Sequence, residues 1–404
     1  MKIALVSQEY PPESAKGGIG SQTFTKAKGL SASGHEVYVI SFAASPQRTE
    51  IKEGNISVIR IPGMEKDIPE MTETVQWITR SVSVAAEIET LHRLVGLDII
   101  DFPEWAAEGY VYLLNRSLWN RIPVVIQLHG PLVMFAHTMD WPELNSAFYK
   151  AGTHMEATCI QLADAVYSSA ACSVEWIRKY YFPVTENIPV IHLGVDTGIF
   201  SSKQAVKNER PTIIFSGKIV GNKGVEELVE AACNLVRSFP ELLLKMIGRG
   251  DEKLIAKLNA YAERCGAAQL LEFPGFMEKE DLSKALSESH VFAAPSYYEG
   301  GPGFVYLEAM ACGLPVVGCS GSGVDEIVTS GENGFLVTPK NVAGLERALE
   351  RILAEPTLRE AMGVKAREFV RQHADSRDCI KKLEAFYGSV VQREASKKEI
   401  TAHE

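Results

Sequence analysis

Short apolar runs alternate with polar or glycine-rich breaks along most of this chain. Ile3 to Ser7, Val37 to Phe42, Ile56 to Ile61, Asp98 to Glu104 and Pro123 to Gly130 are each bounded by turn residues, and several are apolar at consecutive positions rather than at every second one. Consecutive apolar positions over so short a span predict strands covered on both faces, as in a parallel sheet. Helical spacing lies between them, from Ser21 to Ser33 ahead of Gly34 and from Met71 to Val95. Further pattern follows at Asp164 to Ser169 and Ile188 to Asp196. Past residue 211 the alternation resumes, with strands expected at Thr212 to Ser216, Leu242 to Gly248, Leu271 to Gly275, His290 to Pro295 and Pro315 to Cys319. Helices are expected after Gly224, where Val225, Leu228, Val229, Ala232, Leu235 and Val236 form one stripe, from Glu252 to Cys265, from Phe304 to Cys312, and onward from Asn341. Strand and helix in alternation predict an α/β protein with parallel sheets.

Phe200 to Arg210 is polar and without apolar periodicity, the composition of a linker. The expected organisation is an N-terminal domain over 1–197, a linker at 198–210, a C-terminal domain over 211–373, and a closing segment over 374–404. In that last segment Ala374 to Val391 reads as a helix and residues 393–404 as a solvated polar tail.

Composition narrows the function classes. The chain has 404 residues, 46% hydrophobic and 23% charged, enough for two or three cores and too apolar for disorder. A net charge of -10 argues against a nucleic-acid backbone as partner and gives no general attraction to anionic lipid. Peripheral membrane contact has no support in the sequence. Seven scattered cysteines without a Cys-x-x-Cys pair read as free thiols in a reducing compartment, and no long apolar run suggests a membrane span, so the expected location is the cytoplasm.

Candidate chemistry gathers where glycine-rich turns meet helix starts. The stretch Ser296-Tyr-Tyr-Glu-Gly-Gly-Pro-Gly-Phe304 joins a strand to a helix, so free backbone N–H groups and the positive end of the helix dipole face the turn. Glu299 and Glu308 bracket it. Carboxylates repel phosphate but accept from hydroxyls, so a ligand carrying both groups, a nucleotide sugar, fits the turn. Gly217-Lys-Ile-Val-Gly-Asn-Lys-Gly224 repeats this geometry with two cations, Lys218 and Lys223. The first loop contains Gly17, Gly18 and Gly20, but Thr23 breaks the dinucleotide pattern, and no Gly-Lys-Ser/Thr follows for a nucleotide-triphosphate loop. Asp101 and Glu104 stand at a strand's carboxyl end, and His129-Gly130 at another, the edge that faces ligand in open α/β sheets.

Taken in order, Gly17-Gly18, His129-Gly130, Lys218 with Lys223, and Glu299 with Glu308 ahead of Ala309-Met-Ala311 resemble the signature of the retaining glycosyltransferases of family 4, the glycogen-synthase-like group. Three positions depart from that pattern. Glu299 and Glu308 are separated by one residue more than is usual, Lys218 stands for Arg, and Leu193 stands for Asn ahead of Gly194-Val-Asp196.

The resemblance implies a GT-B architecture, two Rossmann-like parallel-sheet domains facing across a cleft, with a C-terminal helix returning to the first domain. It implies metal-independent transfer of a sugar from a UDP-, GDP-, ADP- or TDP-sugar to a hydroxylated small molecule or glycan, with retention of anomeric configuration and no cofactor beyond the donor. His129, Lys218, Lys223 and Glu299 would act at the reacting sugar and diphosphate. Gly17, Gly18, Gly217, Gly300, Gly301, Gly303, Phe304 and Glu308 would hold the nucleotide sugar, and the segment Phe276 to Glu280 would lie along the base. Asp101 and Glu104 are candidates for the acceptor. A sugar-nucleotide epimerase, a glycosyl phosphorylase and a non-catalytic nucleotide-sugar-binding subunit share the same residues and remain as alternatives.

Overall fold

A computed structural model describes residues 1–12, 18–43, 45–63, 72–117, 121–182, 187–192, 194–201 and 206–403, with side chains up to 397. The chain divides into two compact units, Met1–Leu193 with Ser376–Glu404, and Gly194–Asp375.

In the first unit the elements run β1 (Lys2–Val6), α1 (Gly18–Ala32), β2 (Glu36–Ala43), β3 (Thr49–Glu53), β4 (Ile56–Pro62), α2 (Glu73–Val95), β5 (Ile99–Pro103), α3 (Tyr110–Asn115), β6 (Val124–Leu128), α4 (Leu132–Thr138), α5 (Ala147–Leu162), β7 (Ala165–Ser168) and α6 (Ala171–Tyr180). Its sheet has the order β3-β4-β2-β1-β5-β6-β7, parallel except for β3, which pairs antiparallel with β4 at the edge. β3 is exposed at all five positions, so no apolar pattern announces it.

The second unit runs β8 (Thr212–Ser216), α7 (Val225–Leu235), β9 (Leu243–Ile247), α8 (Glu252–Arg264), β10 (Leu271–Gly275), α9 (Lys279–Glu288), β11 (Val291–Ala293), α10 (Phe304–Ala311), β12 (Val316–Cys319), β13 (Gly334–Val337), α11 (Val342–Ala354) and α12 (Pro356–His373). Its sheet is parallel throughout, in the order β10-β9-β8-β11-β12-β13. In both sheets the first strand lies centrally, its successor on one side and a later strand on the other: β2 and β5 flank β1, and β9 and β11 flank β8. This strand order is that of a Rossmann-like fold, and the switch of direction beside β1 and beside β8 marks where ligands bind such sheets.

The last helix, α13 (Ser376–His403), belongs with the first unit. Its Ile380, Leu383, Tyr387 and Val390 enter the core formed with Leu5, Val37, Val125 and Tyr167. Residues 393–404, expected as a solvated tail, continue this helix as far as His403. Glu394 is 5% exposed because Lys397 and Arg121 pair with it at 2.6 and 3.8 Å.

Described residues on either side of 202–205, within the segment expected as a linker, contact the second unit. Phe200 is buried in that unit's core, and Lys207 Nζ donates to the carbonyls of Ser287 and Ser289 at 2.9 and 2.6 Å. Among the described residues no helix is long and apolar enough to cross a membrane.

Candidate functional site

In the second unit two loops meet beside the switch of direction, one leaving β8 and one leaving β11. The first passes Gly217 and Lys218, makes a 3-10 turn over Gly221–Lys223, and enters α7 through Gly224. Gly224 has φ 66°, and a Cβ there would lie 2.1 Å from the carbonyl oxygen of Pro295. Only glycine lets the two loops approach so closely. The Tyr297 amide donates to the Asn222 carbonyl at 3.0 Å, and the Tyr297 hydroxyl donates to Glu227 at 2.6 Å.

The second loop is held from its other side as well. The Gly323 amide donates to the Glu299 carbonyl at 2.9 Å, and the Gly301 carbonyl oxygen lies 2.3 Å from where a Cβ of Gly323 would stand. These constraints resolve the longer spacing between Glu299 and Glu308. The extra residue is absorbed in a turn without regular structure over 294–303, and the Glu299 carboxylate reaches Lys223 Nζ at 2.5 Å. Lys218 is exposed. Gly303 caps α10, placing Phe304 at its first turn and Glu308 one turn further along, where burial pushes the Glu308 carboxyl up to about 7 against the pull of Lys279. Gly217, Lys218, Lys223, Glu299, Gly300, Gly301, Gly303, Phe304 and Glu308 thus all belong to these two loops and the helices they open.

In the first unit Gly18 opens α1, beyond the carboxyl end of β1. Gly17 lies outside the described residues, as does Leu193. At the end of β6, His129 and Gly130 turn into α4, and both of their amides donate to one oxygen of Glu104, at 2.6 and 2.5 Å. Glu156, from α5, accepts from the Leu132 amide at 2.8 Å. Two buried carboxylates therefore hold the turn that presents His129. Burial pushes the His129 imidazole well below its ordinary value, with Lys26 adding to the effect, so the ring is neutral at pH 7. Its Nδ1 is buried and has no hydrogen-bond partner among the described residues.

Asp101 and Glu104 are corrected as acceptor contacts. Asp101 is 1% exposed, and its Oδ2 accepts from Lys26 Nζ at 2.7 Å, from the Tyr167 hydroxyl at 2.7 Å and from the Tyr387 hydroxyl. Glu104 is fully buried beneath the His129 turn, and burial raises its carboxyl to about 7. Neither side chain reaches solvent to meet an acceptor. Glu156 was missed by the sequence reading. Its signal is a single carboxylate among Phe148, Gly152, Met155 and Cys159 on the buried face of α5. Glu108, four residues beyond Glu104, is also buried, with neither carboxylate oxygen paired among the described residues and its carboxyl raised to about 8 by burial.

Comparison with known proteins addresses what this geometry belongs to. A sequence model described as Glycosyltransferase Family 4 matches residues 16–198, and one described as Glycosyl transferases group 1 matches 196–369. The chain belongs to glycosyltransferase family 4. The family 4 protein described here is 25% identical to glycogen synthase of Mycobacterium tuberculosis over 91% of its own length and 90% of that relative. It is 29% identical to alpha-D-kanosaminyltransferase of Streptomyces kanamyceticus over 65% of its length and 68% of the relative. Among solved structures, sucrose-phosphate synthase of Thermosynechococcus elongatus superposes with a TM-score of 0.81 at 22% identity, covering 97% of this chain and 99% of the other. Anabaena HepE in complex with UDP and glucose superposes at 0.73 and 19% identity, covering 96% and 100%. The fold of this glycosyltransferase is GT-B, built from two Rossmann-like parallel-sheet units.

Proposed function

We infer that this glycosyltransferase moves a sugar from a nucleoside-diphosphate sugar to a hydroxyl group, with retention of anomeric configuration and without a divalent metal. The observation that carries this reading is the meeting of two glycine-rich loops beside β8 and β11, one bearing Lys218 and Lys223 and the other bearing Glu299 and opening the helix of Glu308. Breaking the anomeric C–O bond leaves negative charge on the diphosphate while the sugar becomes oxocarbenium-like. Fixed cations and helix N-termini aimed at the leaving phosphate lower that barrier most.

Lys218 and Lys223 supply the cations, and α7 and α10 supply the helix ends. Glu308 accepts from the ribose and Glu299 from the sugar's hydroxyls. In the retaining step the acceptor oxygen bonds to the anomeric carbon on the face from which the diphosphate departs, and the acceptor's proton passes to the departing phosphate oxygen. His129, neutral and held by Glu104, offers its unit a hydrogen-bonding group rather than a cation. Seven free thiols support a reducing, cytoplasmic setting. The solved relative that carries UDP and glucose supports a nucleotide sugar as donor.

A thermal-shift screen of UDP-, GDP-, ADP- and TDP-sugars identifies the donor. Lys223→Ala and Glu308→Gln then abolish transfer with the melting transition preserved, and proton NMR of the product reads the anomeric configuration. Wild-type rates in both variants, or loss of activity in EDTA restored by a divalent ion, refute the proposal.

A further inference from the structure

The contact between Lys223 and Glu299 joins the two groups assigned to opposite ends of the donor, the diphosphate and the sugar. Lys223 Nζ lies 2.5 Å from Glu299 Oε1, and the two side chains are 29% and 17% exposed. The pair is built by the frame rather than by chance rotamers. The close approach of Gly224 to Pro295 and the Tyr297 to Asn222 hydrogen bond fix one loop against the other, and Gly323 fixes the backbone of Glu299 itself. A diphosphate that draws Lys223 Nζ toward itself therefore competes with Glu299 for that ammonium. A partly buried carboxylate stripped of its cation is costly unless another donor replaces it. An intact nucleotide sugar brings that donor, the hydroxyls of the transferred sugar, while a nucleoside diphosphate has only its ribose hydroxyls, which are assigned to Glu308.

We propose that the Lys223–Glu299 ion pair is a specificity element that discriminates the intact sugar donor from the nucleoside-diphosphate product. The donor satisfies both members at once, Lys223 through phosphate and Glu299 through hydroxyls. After transfer the sugar has gone, Glu299 is left without its hydroxyl partners, and it takes Lys223 back from the diphosphate, which favours release of the product. This inference rests on the proposed assignment of Lys223 to the diphosphate.

Isothermal titration calorimetry with UDP, GDP, ADP and TDP, and with UDP-glucose, GDP-mannose, ADP-glucose and TDP-glucose, tests it, using the diphosphate and conjugate that bind the wild type. Removing a competing, partly exposed carboxylate by Glu299→Gln tightens the free diphosphate about threefold to tenfold. The same variant leaves the sugar conjugate unchanged or weaker, so the preference for donor over product collapses. In Lys223→Ala both ligands weaken, and adding Glu299→Gln to it no longer tightens the diphosphate. Unchanged or weaker diphosphate binding in Glu299→Gln overturns the inference while the assignment of Lys223 stands. Unchanged diphosphate binding in Lys223→Ala overturns that assignment and the inference with it. Far-UV circular dichroism of each variant confirms that the compared proteins are folded.

Discussion

Replacing Lys26 by Met isolates the energetics of the buried polar cluster in the first unit. Lys26 is 4% exposed, and its Nζ donates to Asp101 at 2.7 Å, to Gln127 at 2.7 Å and to Tyr167 at 3.2 Å. Methionine fills nearly the same volume without the charge, which leaves Asp101 with two tyrosine hydroxyls on Oδ2 and an Oδ1 that has no partner among the described residues. Counting only the two short hydrogen bonds, to Asp101 and Gln127, at about 1.5 to 3 kcal/mol each, gives a loss of about 3 to 6 kcal/mol. Removing one member of a buried ion pair independently gives about 3 to 5 kcal/mol.

All five tryptophans, at 77, 105, 119, 141 and 176, fall within Met1–Leu193, so tryptophan emission during urea unfolding reports the first unit alone. A two-unit chain need not unfold in a single step, which makes that selectivity necessary. The expected result is a tryptophan transition weakened by about 4 kcal/mol. The double variant Lys26→Met with Asp101→Leu recovers most of the loss, because an apolar replacement for a buried pair is close to neutral. A single-variant loss below about 1 kcal/mol, or a double variant as unstable as the sum of the two singles, refutes the account.

Three further outcomes follow from other parts of the molecule. Gly224→Ala forces a Cβ against the Pro295 carbonyl at positive φ, and should lower the stability of the second unit by about 2 to 5 kcal/mol, read by far-UV circular dichroism, with a parallel loss of donor affinity. Glu104 has its folded-state carboxyl raised from 4.5 to about 7, so its contribution to stability is present below about pH 4.5 and is lost as pH rises through about 7. Glu104→Gln should therefore match the wild type near pH 4.5 and exceed it at pH 8 by up to about 3 kcal/mol in urea melts followed by tryptophan emission; a pH-independent difference would contradict this. Ending the chain at Gln392 removes the pairing of Glu394 with Arg121, together with the hydrogen bond from Arg393 to the Asp164 carbonyl, and should weaken the tryptophan transition by about 1 to 2 kcal/mol. An unchanged transition would return residues 393–404 to the status of a solvated tail.

What the sequence disclosed depended on how local each signal was. β8 and β10 fall at the expected residues, and α7, α8 and α10 within one residue of them, because their apolar spacing and glycine stops lie inside the element itself. The donor loops were legible for the same reason, since Gly217 to Gly224 and Ser296 to Glu308 each carry their chemistry in one short stretch. β3 was invisible because the sequence Thr49-Glu-Ile-Lys-Glu53 buries nothing, and only its pairing with β4 makes it a strand.

Asp101 was misread because a strand position does not reveal which face it serves. Its neighbours Ile100 and Phe102 enter one core, while Asp101 turns to the other face, where α1 and α13 supply Lys26 and Tyr387. Those partners lie 75 and 286 residues away in sequence, beyond the reach of any local pattern. The carboxylates at 104 and 156 meet the turn of His129 and Leu132 for the same non-local reason.

The first unit is discontinuous, and that fixes an order of events during synthesis. Translation delivers residues 194–375 in one piece, and the two ends of that piece meet where the Val195 amide donates to the Ala374 carbonyl at 2.9 Å. The second unit can close on itself while α13 is still inside the ribosome. The first cannot: until Leu383 and Tyr387 emerge, the face of its sheet carrying Leu5, Val37 and Val125 has the cover of Ala27 and Leu30 from α1 but not that of α13, and Asp101 lacks one of its three donors. The half of the enzyme made first is the half finished last, so the nascent chain carries a half-covered apolar face through the synthesis of the whole second unit.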